Sequence, residues 1–581
     1  MIPYGWFGEM LEVDLSQRRV QRRPIPRELL LFWLGGRGLG VRLVRDRITL
    51  DPFDPDMPLI VAVGPLCGTP SPTSARLSVI SRSPLTGTVY DCSAGGKFAW
   101  MLKGCGIDLI MVTGRSKSPV ILSLRGRDTV IEPADHLWGK TVSETVSLLA
   151  DRGSVATIGP AGENGVFFAN IMMGEGNAVG RGGLGCVMGV KGLKAITVAG
   201  DRKVAIADRS RFERARGDVI RLFRASPVIM GEFGIARYGT PALVDLMRER
   251  RMAPTENFRA TWFPGSSAFS GPAIRRTYDP VNNGCYGCPI QCKKGTKGGE
   301  HLPEYETVSH FGALNRISDL SSIVRSNTLC NELGMDTISA AATIAAYGEH
   351  RGRFPDPSEV HDLLRLIAAR SGVGDLLSQG SRRFAEGVGA PELSMTVKSL
   401  ELPAYDPRGS YGMALAYGVS NRGGCHLRAY PISLELLRKP VAVDRFSFDG
   451  KGRQIAVAEN VNGAVDSLVA CKFAFFGATI EEYGELLSAV TGEEYTAQSL
   501  KEIGGAIVLT ERYCNTLNGF SADDDTLPER FFTEPGSSGD GLTIPPLSRE
   551  RFLEEREKYY RIRGADEQGR VTDPDILARF P

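Results

Sequence analysis

The chain has 581 residues, which is too long for one hydrophobic core and suggests about three or four domains. A hydrophobic content of 42% and a charged content of 23% are those of a globular protein and give no sign of disorder. With 69 basic and 67 acidic residues the net charge is only +2, which excludes a global field that attracts nucleic acid or an anionic membrane.

The start of the chain and its cysteine content both bear on location. The first twenty residues carry Asp14 and the pair Arg18-Arg19 but no apolar core, so they do not have the pattern of a signal peptide. No apolar run approaches the roughly 18 to 20 residues of a membrane span. Eleven cysteines are ordinary for a large intracellular enzyme with reduced thiols. We therefore predict a cytoplasmic protein with no membrane span and no nucleic-acid partner.

Residues 1–205 consist of short β-rich runs broken by glycine. Runs at this spacing predict a β-rich α+β domain over residues 1–205. The runs are Met10-Leu11-Glu12-Val13-Asp14-Leu15, Leu59-Ile60-Val61-Ala62-Val63, Leu77-Ser78-Val79-Ile80, Leu109-Ile110-Met111-Val112 and Ala195-Ile196-Thr197-Val198.

One glycine-rich loop, residues 180–185, literally satisfies the G-x-G-x-x-G pattern. A dinucleotide fingerprint needs a full helix after the loop, and we expect Gly189 and Gly192 to interrupt that helix. A loop in which backbone N–H groups and Arg181 approach a phosphate is better supported. Arg76, which opens a strand, could act in the same way, although a single arginine at such a position is more often a surface residue.

From residue 206 the pattern becomes helical. Residues 208–225, 242–251 and 356–370 are amphipathic at helical spacing. Within residues 321–348, Gly334 suits the left-handed end of one helix and Asp336 can cap the start of the next. We predict a mainly helical domain over residues 206–395 and a second mainly helical domain over residues 396–581.

Three cysteines in C-x2-C-x3-C spacing, Cys285, Cys288 and Cys292, are the strongest chemical signal in the chain. Such a loop can reach three corners of a cubane iron–sulfur cluster, with the fourth thiolate coming from elsewhere. A structural zinc site is an alternative, but the nearest further ligand, His301, stands alone without a second Cys/His pair. A disulfide loop is a third interpretation and would need an oxidising compartment.

The last third of the chain offers two more candidates. His426 follows a double glycine and precedes Arg428 by two residues; a lone histidine is usually structural, but this setting is typical of a site. The stretch from Asp466 to Phe473 contains a fourth cysteine, Cys471.

These motifs together resemble the tungsten-pterin aldehyde:ferredoxin oxidoreductase family, in the same order over the whole chain. The resemblance is carried by Phe32-Trp33-Leu34-Gly35-Gly36-Arg37-Gly38, Ser74-Ala75-Arg76, the loop at residues 180–185, Lys191-Gly192-Leu193-Lys194-Ala195-Ile196, the cysteine triplet, Pro303-Glu304-Tyr305-Glu306-Thr307, Asn331-Glu332-Leu333-Gly334-Met335-Asp336 and Arg422-Gly423-Gly424-Cys425-His426.

The resemblance implies a set of cofactors and their ligands. One [4Fe–4S] cluster would be held by the cysteine triplet and Cys471, which closes the family's D-x-x-G-L-C motif; Cys514 is the competing late candidate. Two such motifs, here residues 331–336 and 466–471, would embrace a tungsten (or molybdenum) bis-molybdopterin, with Mg²⁺ between the pterin phosphates. The positions implied near the pterins are Arg76, Ser93, Gly95, Arg181, Gly182, Asn331, Asp336, Arg428, Asp466 and Ala470.

Three departures from the family pattern stand out. Val469 replaces a glycine of the second pterin motif, so its backbone geometry is open. Asn331 replaces an aspartate at the start of the first motif. Some members carry Glu-x-x-His as part of an iron site that bridges two subunits, and here residues 325–328 read Arg-Ser-Asn-Thr. We predict no bridging iron, and a homodimer is left as a possibility.

The implied activity is the oxidation of a small aldehyde to a carboxylic acid, with electrons passing through the cluster to ferredoxin or an iron–sulfur subunit. Glu306 is the predicted general base, with Glu304 as the second choice, and His426 would bind the carbonyl or carry a proton. Two alternatives are a tungsten-dependent subunit that reduces aromatic CoA esters and an iron–sulfur electron-transfer subunit without pterin. The sequence does not separate tungsten from molybdenum.

Overall fold

The computed structural model describes residues 4–438, 441–537, 541–573 and 580. Two six-stranded sheets occupy residues 9–199, so the predicted β-rich N-terminal region is confirmed. All five predicted runs are strands, and seven further strands accompany them. The strands are β1 Glu9–Asp14, β2 Arg19–Pro24, β3 Leu59–Ala62, β4 Leu77–Arg82, β5 Val89–Ala94, β6 Leu109–Thr113, β7 Val120–Arg125, β8 Asp128–Pro133, β9 Ser154–Thr157, β10 Ile171–Met173, β11 Asn177–Val179 and β12 Leu193–Ala199.

The first sheet has the strand order β2-β1-β6-β3-β4-β5. Only β1 and β6 pair in parallel; the other neighbours are antiparallel. Strand β3 lies inside the sheet because all four of its residues are apolar, and all four are buried. Strand β2 lies at the edge, where Arg19 and Arg23 are exposed and hinder pairing with another chain.

The second sheet has the order β11-β10-β9-β12-β7-β8 and is mixed. The glycine-rich loop at residues 180–185 follows β11, which pairs antiparallel with β10, so the loop is not part of the parallel βαβ unit of a dinucleotide site. The expected break at Gly189 is wrong: helix α6 (Leu184–Val190) runs through it. A Cβ on Gly189 would lie 2.0 Å from the carbonyl oxygen of Gly162, so this glycine permits close packing instead.

The sheets carry a few short helices, and the rest of the chain is mainly helical, as predicted. The helices in the sheet region are α1 Arg27–Trp33, α2 Gly36–Val44, α3 Phe98–Gly104, α4 Val142–Leu148, α5 Pro160–Glu163 and α6. Those of the middle region are α7 Arg209–Ala225, α8 Pro227–Met230, α9 Ile235–Tyr238, α10 Leu243–Glu249, α11 Gly271–Tyr278, α12 Tyr305–Phe311, α13 Leu320–Leu333, α14 Thr337–His350, α15 Pro357–Ala369, α16 Val373–Leu377 and α17 Ser381–Gly387.

The last region contains seven helices within the described ranges, interspersed with short two-stranded hairpins. The helices are α18 Tyr411–Val419, α19 Ile432–Glu435, α20 Lys451–Ser467, α21 Ile480–Thr491, α22 Ala497–Leu517, α23 Arg530–Thr533 and α24 Arg549–Arg563. The domain boundaries near residues 205 and 395 stay a prediction, because the largest buried apolar cluster contains residues from all three regions.

The predicted helix ends in the middle region are confirmed. Helix α13 stops at Gly334, which has φ +78°, a conformation that glycine adopts without steric cost. The Asp336 carboxylate then accepts the backbone N–H groups of Ile338 and Ser339 and caps α14. No helix in the described part of the chain is long and apolar enough to cross a membrane.

A buried network of charges joins the first sheet to the last helices. The Arg37 guanidinium of α2 contacts both carboxylate oxygens of Glu511 in α22, at 2.6 and 2.7 Å, and lies 3.3 Å from Asp466 in α20. Arg428 pairs with Asp91 of β5 and lies 3.6 Å from Asp466. Such a network is stable only when each charge keeps its partner, because an unpaired buried charge is costly.

This network generates a stability prediction. Replacement of Glu511 by Gln should lower the free energy of unfolding by about 3–5 kcal/mol, because Arg37 would be left buried with an incomplete set of counter-charges. Chemical denaturation of the two proteins measures the difference. The exposed pair Arg382 and Glu386 is the control, and E386Q should cost less than about 1 kcal/mol. Equal losses in the two variants would contradict the assignment.

Candidate active site

A cavity of about 1060 Å³ lies where the two sheets meet the helices. All of the predicted site residues line it except Gly182 and Arg428, which lie against lining residues. Those on the wall are Arg76, Ser93, Gly95, Arg181, Cys285, Cys288, Cys292, Glu306, Asn331, Asp336, His426, Asp466, Ala470 and Cys471. The fold therefore collects residues that are up to 395 positions apart in the sequence around one space.

The three clustered cysteines lie on a loop between two short paired strands, Val281–Asn282 and Lys294–Gly295. The loop turns at Gly287, with φ +65°, and at Gln291, with φ +53°. The Gln291 side chain fixes the turn, because its oxygen accepts the Gly284 N–H at 3.0 Å and its amide donates to the Cys288 carbonyl oxygen at 2.6 Å.

Cys471 approaches this loop from the end of α20, with its N–H donating to the Thr73 carbonyl oxygen at 3.2 Å. The thiols are close enough to influence one another: burial, reinforced by the neighbouring Cys471, raises the pKa of Cys288 to about 11. Arg76 is buried beside them, and although burial opposes its charge, the neighbouring Cys471 and Cys285 raise its pKa. Cys514 is buried in α22 and is not on the cavity wall.

The four thiols are the donor set that a cubane cluster would use. Within the described residues, no three or more His, Cys, Asp or Glu side chains converge closely enough to hold one metal ion. A cubane cluster presents a separate iron to each thiolate, so its four ligands need not converge on one point. The buried Arg76 guanidinium supplies a positive charge beside the sulfurs.

Close packing beside the cysteines depends on Gly95, at the end of β5. A Cβ there would lie 2.3 Å from the Cys285 sulfur and 3.2 Å from Nη1 of Arg76. The carbonyl oxygen of Ser93 accepts Nη2 of Arg76 at 3.3 Å, and the Ser93 hydroxyl contacts that of Ser78 at 2.7 Å. The strand end therefore positions Arg76 against the cysteines.

Two buried arginines at or behind the cavity wall, Arg181 and Arg428, have donors without partners among the described residues. Arg181 donates to the carbonyl oxygens of Gly424, at 2.9 Å, and of Glu401, and its Nε lies 3.5 Å from Asp336. Among the described residues, Nε of Arg181 and Nε of Arg428 are buried without a hydrogen-bond acceptor. Buried donors are normally satisfied, so Nε of Arg181, which is on the cavity wall, fits a polar or anionic ligand, whereas Arg428 lies behind the wall.

Gly182 lies behind the cavity wall, next to Arg181, and permits close packing there. Its φ is +84°, and a Cβ would enter the ring of Tyr90 at 2.3 Å. Its carbonyl oxygen accepts the Ser83 hydroxyl at 2.7 Å. The Tyr90 hydroxyl is buried with no partner among the described residues, which is a further polar atom open to a ligand.

The two predicted pterin motifs have matching backbone geometry. The first contains Asn331, on the cavity wall, and passes through Gly334 in the left-handed region before Asp336 caps α14. In the second, Val469 adopts φ +55° although it is β-branched. This conformation is strained for valine and marks a position where the fold overrides the residue's preference. The departure at Val469 therefore leaves the left-handed turn intact.

Glu306 and His426 face each other in the cavity. One oxygen of Glu306 accepts the Ala404 N–H at 2.9 Å; the other lies 3.6 Å from Nε2 of His426 and has no hydrogen bond. Burial raises the pKa of Glu306 to about 8. Burial, together with nearby cations such as Arg181, lowers the pKa of His426 well below its ordinary value.

The second choice, Glu304, has a different environment. Its side chain is 48% exposed and lies 3.9 Å from Nζ of Lys293, on the cysteine side of the cavity. The buried carboxylate of Glu306 beside His426 is better placed for proton transfer.

His310 is a neighbour of Glu306 that the sequence reasoning missed. Its Nδ1 lies 3.5 Å from the Glu306 carboxylate and 2.8 Å from the Glu306 carbonyl oxygen, and its Nε2 lies 3.1 Å from the carbonyl oxygen of Leu402. Burial lowers the pKa of His310 to about 4. The Glu-x3-His spacing, which places both side chains on one face of α12, was the signal that could have identified it.

Aromatic side chains that were not predicted surround the same pair. The ring of Tyr405 lies 5.4 Å from that of His426, and the hydroxyls of Tyr405 and Tyr430 are 3.4 Å apart. Cys425 was also missed: burial opposes its ionisation, but Arg422, Arg428 and Arg181 outweigh burial and lower its pKa. The contact of Tyr405 with His426 joins separate segments, so no local pattern predicts it.

Two family models together match most of this chain. The family model for "Aldehyde ferredoxin oxidoreductase, N-terminal domain" matches residues 10–200, and that for "domains 2 & 3" matches residues 215–577. The tungsten-containing aldehyde ferredoxin oxidoreductase of Pyrococcus furiosus is 40% identical over 98% of both chains, and that of Thermococcus kodakarensis is 39% identical over 98% of both chains. The protein is thus an enzyme of the oxidoreductase class. It belongs to the aldehyde ferredoxin oxidoreductase family, whose implied cofactor is a tungsten-pterin.

More distant relatives have other named activities. The aliphatic sulfonate oxidoreductase, WOR-like subunit, of Pyrococcus furiosus is 27% identical over 99% of this chain and 96% of its own. The active site complex BamBC of benzoyl coenzyme A reductase superposes with a TM-score of 0.84 over 100% of this chain and 97% of its own. Its sequence identity of 23% means that this likeness shows the fold alone.

The tight contact at Gly95 yields a prediction. Replacement of Gly95 by Ala should displace Cys285 and Arg76, because the added Cβ would lie only 2.3 Å from the Cys285 sulfur, which is closer than van der Waals contact allows. We expect a loss of protein-bound iron, measured per chain, with helix content unchanged by circular dichroism. G298A is the matched control, because a Cβ there meets only the Thr296 hydroxyl at 3.7 Å. Full iron content in G95A would show that the contact is relaxed.

Proposed function

We propose that this enzyme oxidises a small aldehyde to the carboxylic acid and passes the electrons through a [4Fe–4S] cluster to ferredoxin or an iron–sulfur partner subunit. The observation that carries the proposal is the single cavity whose lining includes both the four cysteines Cys285, Cys288, Cys292 and Cys471 and the pair Glu306 and His426. Electron-transfer ligands and proton-transfer groups thus share one space.

A tungsten (or molybdenum) bis-molybdopterin, when bound, supplies the two-electron redox chemistry of the reaction. The unpartnered Nε donor of Arg181 on the cavity wall would suit a polar or anionic part of this cofactor, and Mg²⁺ would accompany its phosphates. The residues proposed to hold it are Arg76, Ser93, Gly95, Arg181, Gly182, Asn331, Asp336, Arg428, Asp466 and Ala470. The cluster would be held by the four cysteines as thiolates.

The proposed proton chemistry lies with Glu306 and His426. The reaction RCHO + H₂O → RCOOH + 2H⁺ + 2e⁻ requires removal of protons from water and from the hydrated carbonyl carbon. Glu306 has an oxygen without a hydrogen bond that faces the cavity and can accept a proton in its ionised form. Neutral His426 can orient the carbonyl through Nε2. The buried His310 and the Ala404 N–H hold Glu306 in place.

The other expectations stay predictions. The reduction of aromatic CoA esters is supported only by the shared fold, and a pterin-free electron carrier would leave the buried arginine donors unexplained. In residues 325–328, the Asn327 amide donates to the His301 carbonyl oxygen and the Thr328 hydroxyl to Glu300, both at 3.0 Å. The absence of a bridging iron, the homodimer and the cytoplasmic location await experiment.

Elemental analysis of anaerobically purified protein tests the proposal. We expect about one tungsten or molybdenum and about four irons per chain, and C471S should lose iron because a hydroxyl is a poor substitute for a thiolate. C514S is the matched control and should keep its iron, since Cys514 is outside the cavity. Iron without tungsten or molybdenum would reject the proposed oxidoreductase in favour of an electron carrier.

The environment of Glu306 predicts the pH dependence of turnover. Because burial raises its pKa to about 8, the ionised fraction and the rate of aldehyde oxidation should rise with pH, with a midpoint near pH 8 and a plateau about one pH unit higher. E306Q should lose about 10²–10⁴ in kcat and this rising limb. The assay couples aldehyde oxidation to a viologen dye, with E304Q as the control. A profile that keeps its rising limb in E306Q would assign the proton transfer to another group.

A further inference from the structure

One serine hydroxyl lies between two buried carboxyl groups next to the cavity. Oγ of Ser339 is 2.7 Å from a carboxylate oxygen of Asp336 and 2.7 Å from Oε2 of Glu401. Glu401 and Ser339 have no exposed surface, and Asp336 is 4% exposed on the cavity wall. Both contacts are strong hydrogen bonds by distance.

The two hydrogen bonds of Ser339 require that one of the carboxyl groups, Asp336 or Glu401, is protonated. A serine hydroxyl has one hydrogen, so it can donate to one of the two oxygens and must accept from the other. One carboxyl group therefore supplies the second hydrogen. If both carboxyl groups were ionised, one carboxylate oxygen would face the serine oxygen with no hydrogen between them.

The surrounding donors decide which group keeps the proton. Asp336 accepts the N–H groups of Ile338 and Ser339 at the start of the 14-residue helix α14, where the helix dipole favours an anion, and Arg181 lies 3.5 Å away. Glu401 is at no helix start and accepts from Ser381, through its N–H at 3.0 Å and its hydroxyl at 3.1 Å, and both of these contacts are made to Oε1. The negative charge is therefore better stabilised on Asp336.

We propose that Glu401 is a neutral carboxylic acid that donates through Ser339 to Asp336, which makes the three residues a proton relay ending at the cavity. In one transfer the Glu401 O–H bond breaks as a Ser339 O–H bond forms, and the original Ser339 O–H bond breaks as an Asp336 O–H bond forms. No electron moves in this step. Glu401 becomes the carboxylate and Asp336 the acid.

The charged groups around Glu401 are compatible with this assignment. Arg181 donates to the Glu401 backbone carbonyl rather than to its carboxyl group, and Arg383 on α17 interacts with it only at longer range. Burial raises the pKa of Glu401 above its ordinary value. The folded protein then holds this proton more tightly than the unfolded chain, so the stability that it contributes at low pH is lost as pH rises.

The relay has a role if the proposed function holds, and this part of the inference rests on that function. Two electrons that enter the cavity from an aldehyde add negative charge beside Asp336. A proton that shifts from Glu401 to Asp336 compensates this charge without opening the cavity to water. Glu401 is therefore a positioning residue that acts through Asp336 and does not touch the substrate.

Infrared spectroscopy of the cofactor-free protein tests the protonation state without any need for turnover. The spectrum of the wild type minus that of E401Q should contain the C=O band of a protonated carboxyl group, and this band should shift in D₂O. The band should persist in E306Q and in E435Q, which separates it from the two further carboxyl groups whose pKa burial raises, and should shift in S339A. If the difference spectrum shows only carboxylate bands, the proposal is overturned.

Stability provides a second measurement. The glutamine amide of E401Q can donate to Ser339 as the acid does, so its unfolding midpoint at pH 5 should match that of the wild type, and the fall in midpoint from pH 5 to pH 8 should be smaller. E401A should be destabilised at every pH. If E401Q loses as much stability at pH 5 as E401A does, the site requires a carboxylate and the neutral acid is wrong.

The loaded enzyme tests the relay itself. Reduction by an aldehyde should abolish the Glu401 acid band in the wild type but not in S339A, where the intermediate hydroxyl is missing. An acid band that survives reduction in both proteins overturns the relay. If the proposed function is wrong, the purified protein will contain no tungsten or molybdenum and no aldehyde will reduce it. The infrared result for the cofactor-free protein does not depend on that outcome.

Discussion

The buried ion network around Arg37 is the constraint on which the rest of the structure depends. It connects α2 and β5 of the N-terminal region with α20 and α22 near the end of the chain, through Asp91, Asp466 and Glu511. Each of these side chains is almost fully buried, so the loss of any one partner would leave the remaining charges uncompensated in a low-dielectric interior. Arg428 and Asp466, both proposed to lie near the cofactor, are held in place by the same network.

The glycines on either side of Arg37 allow the end of α20 to pack closely against α2. A Cβ on Gly36 would lie 2.4 Å from the Asp466 carbonyl oxygen, and one on Gly38 would lie 2.8 Å from the Ser467 hydroxyl. The segment is therefore a surface without side chains against which the end of α20 packs. Because Gly36 also leaves room for Val469, whose Cγ1 is 2.7 Å from that Cβ position, this packing can hold the valine in its strained left-handed conformation.

Local features of the fold were predictable because their causes are local. The turn at Gly334, the cap at Asp336 and the cysteine loop each depend on a few consecutive residues. The site as a whole needed the family resemblance, because spacing alone does not join Cys471 to the cysteine triplet. The contacts between His310 and Leu402, and between Glu306 and the Ala404 N–H, were not predicted, since they join elements about 90 or more residues apart. The helix through Gly189 was mispredicted because packing against Gly162 outweighed the low helix propensity of glycine.

Different residues of the cavity lining suit the transfer of electrons and the transfer of protons. The thiols and Arg76 form the wall near residues 285–292 and 471, where an electron can be held by polarisable sulfur and leave toward a partner. Glu306 and His426 form the wall on α12 and the segment after α18, and the pair of carboxyl groups at Ser339 lies behind that region. Under the proposed function, oxidation of an aldehyde releases equal numbers of electrons and protons, and each electron held near the cysteines adds negative charge to the cavity. A carboxyl group close to the cavity can offset that charge by a shift of its proton, so that the buried ion network need not change its charge.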